Sequence, residues 1–174
     1  MISKIFRGVD VMKDYSYISF ALSILMATIS VLFPSTAALV VASILMFASM
    51  DAIGYFHLLW GGDQGKEVPN YQERLVSYRF IQTGFQILLS ILLFSVGGIL
   101  PVLAFNIVWW FGFCDLMYYV LLKQNFMEYG DMYWLWWTPI GIARSMGLVS
   151  AITGPMLIIQ SLVGIIVAFK YFVF

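Results

Sequence analysis

The chain is constrained above all by its long, mostly apolar runs. Six of them, each about twenty mostly apolar residues, follow one another from Tyr15 to Val173, and a helix of about that length crosses the hydrocarbon of a bilayer. Hydrocarbon offers a backbone amide no partner, so such runs read as helices, which close their hydrogen bonds internally. The runs cover 15–33, 35–60, 75–100, 101–122, 132–153 and 155–173. The expected fold is all-α: a polytopic integral membrane helical bundle in a single transmembrane domain over 1–174, with six transmembrane helices arranged as three hairpins. Composition agrees, because a chain 62% hydrophobic and 10% charged has too few polar side chains to coat a water-soluble domain. Lys4, Arg7 and Lys13 ahead of the first run resemble a signal-peptide flank. Asp10 and Asp14 interrupt that flank, and the run exceeds a usual signal core, so an uncleaved span is expected.

Polar interruptions set the topology. Residues 61–74, with Asp63, Lys66, Glu67, Pro69, Asn70 and Glu73, read as a loop, as do residues 123–131. The other connections are tight and uncharged, at Pro34, at Gly97-Gly98-Ile99-Leu100-Pro101 and at Gly154-Pro155, each with a proline placed to open a helix. With six spans, Lys4, Arg7, Lys13, Lys66, Arg74, Lys123 and Lys170 share one side. The positive-inside rule then places both termini in the cytoplasm, in a plasma (inner) membrane. Trp60, Trp134, Trp136 and Trp137 adjoin the same loops, where indole rings anchor at an interface. The fifth run is the least helical, because Arg144 sits near its middle and Gly141 and Gly147 lower its propensity. The alternative is five spans, with Tyr133 to Ser150 interfacial or re-entrant and the C-terminus outside.

Ionisable residues within spans carry the functional signal, since each costs about 2.5–3.5 kcal/mol at the bilayer centre even on insertion scales. They are Asp51, Arg79, Asp115 and Arg144. On the third run Arg79, Gln82, Thr83, Gln86 and Ser90 form one polar stripe at helical spacing, which must face protein or water. Asp51 and Asp115 each precede a tyrosine by four positions, Tyr55 and Tyr119, placing carboxylate and phenol on one helix face. The candidate ligand- or ion-binding set is therefore Asp51, Asp115, Arg79, Gln82, Gln86, Arg144, Tyr55 and Tyr119. Two outcomes fit it: polar pairs that lock helices together, or a hydrated cavity whose carboxylates hold a cation, a proton or a cationic solute. Asn106 and Asp115 lie nine positions apart in the fourth run and point to opposite sides unless the helix bends. The aromatic run from Tyr133 to Pro139 suits an interfacial belt, or less simply the wall of a pocket for a planar or cationic ligand.

Other classes are disfavoured. Balanced charge without a basic run argues against nucleic acid as a partner. One histidine, His57, and one cysteine, Cys114, supply neither a metal site nor a haem or redox motif, so no metal or cofactor is expected. No serine sits in a nucleophile context, which leaves a membrane enzyme using Asp as acid or base as a third choice. The expected function is small-solute or ion binding and transport, with an accessory subunit of a larger membrane complex as the alternative. The bilayer is the expected partner, joined by a second copy or by other subunits.

Overall fold

The computed structural model describes residues 18–32, 35–55, 71–122 and 125–173. The expected turn at Pro34, residues 61–70 of the expected loop, His57, Trp60, Lys123 and the basic residues before Tyr15 lie outside these, as does the side chain of Tyr55. All regular structure among the described residues is helical. The α-helices are α1 (Ile18–Leu32), α2 (Thr36–Tyr55), α3 (Tyr71–Gly97), α4 (Ile99–Trp110), α5 (Phe113–Leu121), α6 (Pro139–Ser145) and α7 (Gly154–Phe172). Short 3-10 turns cover Phe126–Glu128 and Tyr133–Leu135.

Three helices, α2, α3 and α7, are long and apolar enough to cross a membrane, and α4 with α5 makes a fourth crossing if that bent pair is one span. This is fewer than the six expected, and the reasons are local. The described part of the first run is a 15-residue apolar helix, shorter than the three that qualify. The fifth run is not a span at all. Between Met132 and Thr153 the chain forms a 3-10 turn, then the seven-residue α6, then turns and irregular backbone, and seven residues rise only about 10 Å. Thr138 caps α6 by accepting from the Gly141 amide at 3.3 Å, with Pro139 opening the helix. Gly147 then ends it with φ +73°, a conformation that favours glycine.

The expected Gly98 turn is present. α3 stops at Gly97, Gly98 adopts φ +72°, and α4 begins at Ile99 with Pro101 in its first turn. α3 starts at Tyr71, so the last residues of the expected 61–74 loop, Arg74 among them, are already helical.

α4 sits at the centre, packed on α7, α3 and α2. Its Ala104, Phe105 and Val108 are fully buried with Val40, Phe47 and Leu93. α2 approaches its neighbours through small residues: Ala38, Ala42, Ser43, Ala48, Ser49 and Ala52 are all buried. Where no hydrophobic effect drives helices together, such residues let backbones come close enough for dispersion contacts. Ser49 donates to Leu45 O at 2.6 Å and bonds Ser19 on α1 at 2.7 Å. Half of the α2 span is buried but only 11% of the α3 span, so α3 is the outer wall.

α7 runs back along the bent pair. Its first residue, Gly154, lies against Phe126 and Met127; Gly164 lies against Phe111; Ala168 joins the cluster of Val40, Leu93 and Ala104. Lys170 therefore stands at the end of the bundle that holds the Gly98 turn, opposite Arg74. The six-span scheme had placed these two cations together.

Candidate functional site

The polar stripe of α3 divides between two neighbours. Toward α2, Tyr78 Oη and Gln82 Nε2 both donate to Asp51 Oδ1, the amide at 2.6 Å. Arg79 Nη1 donates to Gln82 Oε1 at 2.6 Å, so Gln82 stands between carboxylate and guanidinium. Among the described residues Asp51 makes no ion pair with Arg79. Tyr78 is buried, Asp51 and Gln82 half-buried, and Arg79 exposed. Farther along, Gln86 Nε2 donates to Asn106 Oδ1 on α4 at 2.9 Å, and Asn106 Nδ2 donates to Ser90 Oγ at 3.1 Å and to Val102 O at 2.8 Å. Thr83 is exposed.

Asp115 reaches the first group because the fourth run bends. α4 and α5 meet at 61° across Phe111 and Gly112. Gly112 has φ +76°, and a Cβ there would meet Leu157 Cδ1 at 2.9 Å. Backbone freedom and close packing both require glycine at this point. The bend lets Asn106 face α3 while Asp115, on the first turn of α5, enters the electrostatic range of Asp51 and Arg79. It also opens a new helix N-terminus, where unsatisfied amides favour a carboxylate. Asp115 is half-buried.

Asp51, Asp115, Arg79 and Gln82 thus converge, and the other candidates go elsewhere. Gln86 belongs to the α3–α4 network. Arg144 is not in the cluster: its Nη2 pairs with Asp131 Oδ2 at 2.6 Å, while Asp131 Oδ1 accepts from the Ile152 amide at 3.0 Å. The expected depth of Arg144 assumes a continuous fifth helix; it lies instead in the last turn of the short helix α6. Tyr119 turns into an aromatic cluster, accepting from Trp134 Nε1 at 2.9 Å and stacking on Phe126 at 5.4 Å.

The aromatic run folds onto the bend. Trp137 stacks on Trp109 at 4.5 Å, and its carbonyl accepts from Trp110 Nε1 at 2.9 Å. Beside them, Gln160 on α7 accepts from the Ile140 amide at 3.2 Å, tying α6 to α7.

Two residues of these polar networks escaped the sequence reading. Tyr78 lies four positions before Gln82, on the stripe itself, but a phenol counts as apolar in such a pattern. Asp131 stood at the edge of a polar patch. Its signal was an acid thirteen positions before an arginine, and this spacing carries no helical meaning.

No protein family matches this chain, and neither the curated proteins nor the solved structures include one similar to it.

Proposed function

We propose that this multi-pass membrane protein binds a small cation or cationic solute between Asp51 and Asp115 and carries it across the bilayer. One observation carries the reading: two carboxylates and one guanidinium gather within the spans, yet neutral donors, not the arginine, hold Asp51. The group has one negative charge in excess when both acids are ionised. A charge excess within spans is costly and persists most readily where a bound cation offsets it. On the positive-inside rule the end of the bundle bearing Arg74 faces the cytoplasm, the group lies nearer that side, and Lys170 lies across the membrane.

Proteoliposomes test this with imposed sodium, potassium and proton gradients and a panel of small organic cations. At least one flux should appear and fall at least tenfold in Asp51→Asn and Asp115→Asn proteins that fold normally. Unchanged flux in the double variant contradicts the assignment. A second reading, an accessory subunit, draws on the exposure of Val76, Phe80, Ile87, Ile91, Phe94 and Val96 along α3. It gains if no cation moves and mild-detergent purification returns a stoichiometric partner.

A further inference from the structure

The α3–α4 network leaves hydrogen-bonding capacity unused at mid-membrane depth. Val102 O can only accept, so Asn106 must aim its Nδ2 there and at Ser90, and its Oδ1 at Gln86. Gln86 must then offer its Nε2, and its Oε1 finds no partner among the described residues. Ser90 Oγ accepts from Asn106, and its own proton finds no acceptor among them. Both groups line the floor of an open groove of about 420 Å³ whose walls are Ile87, Ile91 and Phe94. The volume lies within the range of about 300–1,000 Å³ usual for small-molecule sites.

Lipid chains flowing past this groove would leave a free amide oxygen and a free hydroxyl proton in hydrocarbon, where neither can be satisfied. A single hydroxyl satisfies both, donating to Gln86 Oε1 and accepting from Ser90. A ketone, quinone or ether cannot, because none has a proton to give Gln86. A charged head is disfavoured too, since no ionisable side chain lines the groove. We infer that the groove between α3 and α4 binds, by lateral entry from the bilayer, a neutral lipid whose apolar body carries a hydroxyl head. The inference is independent of the cation reading, which uses other residues at the α2 side of α3.

A diazirine-bearing long-chain alcohol, incorporated in proteoliposomes and photolysed, tests it by peptide mapping. Labelling is expected on 86–94 and 102–106, reduced by unlabelled alcohol but not by its methyl ether. Gln86→Leu should weaken competition about three- to tenfold, the range that one hydrogen bond supports. Ile91→Trp, which fills the groove and spares the network, should abolish the site-specific label. Equal competition by alcohol and ether overturns the proposal, as does undiminished labelling in Ile91→Trp or cross-linking of these peptides to a second copy of the chain.

Discussion

Gln82 bonds Asp51 through its Nε2 and Arg79 through its Oε1, each at 2.6 Å, so that one neutral amide separates an acid and a base on adjacent helices. A direct pair would neutralise the carboxylate. The amide instead orders it without supplying an opposite charge.

Tyr78→Phe should therefore destabilise the protein modestly. Hydrogen bonds between membrane helices contribute about 0.6 kcal/mol on average and about 1.7 at most. Detergent unfolding should show a loss within that range, and adding Asp51→Asn should cost less than the two single losses combined, because both remove one interaction. Additive losses would mean that Tyr78 and Asp51 do not cooperate.

Gly112 is expected to be more sensitive to substitution than Gly147, another left-handed glycine. Alanine there meets a left-handed backbone cost of about 1–2 kcal/mol and also presses on Leu157 Cδ1. Gly147→Ala, with similar φ but open space around it, meets the first cost alone. Thermal unfolding of the two variants should rank Gly112→Ala clearly lower.

At Asp131 the backbone bond should matter more than the ion pair. The pair is about one-third exposed on both sides, which limits it to about 1 kcal/mol or less. Removing the acceptor for the buried end of the 131–152 segment costs about 1–3 kcal/mol. Arg144→Gln should leave stability nearly unchanged, and Asp131→Ala should lower it and speed hydrogen exchange at the Ile152 amide.

The direction of α7 can be read by cysteine accessibility. Cys114 is buried, so Tyr171→Cys, Ser95→Cys and Gly130→Cys each add one reactive thiol. An impermeant maleimide should reach the first two from one side of the membrane and the third from the other. Labelling of Tyr171→Cys and Gly130→Cys from the same side would restore the six-span arrangement.

Helical class, the long apolar spans and the Gly98 hairpin were legible in the sequence because each depends on local composition: apolar length, glycine and proline. The stripe on α3 was legible for the same reason, since its period belongs to one helix. Which neighbour each residue of the stripe would meet was not, and Gln82 and Gln86 face different helices. The fifth run misled because its hydrophobicity matched a span, while Thr138-Pro139 and Gly147 cut it into one short turn of helix between loops. Arg144 followed that error. The need for a bend between Asn106 and Asp115 could be read from their angular separation, but its location at Gly112 depended on the packing of Leu157 and Gln160 from α7.

The central claim, that Asp51 and Asp115 jointly hold a cation, is tested most directly by the reactivity of the two carboxyls. A hydrophobic carbodiimide, which modifies carboxyls within membranes, is applied to the protein in detergent with increasing sodium, lithium or tetramethylammonium, and each acid is followed by peptide mass spectrometry. The account predicts that at least one cation slows modification of Asp51 and Asp115 together, with Asp131 unaffected. Rates at Asp51 and Asp115 that no cation changes, or that change at one and not the other, would contradict it.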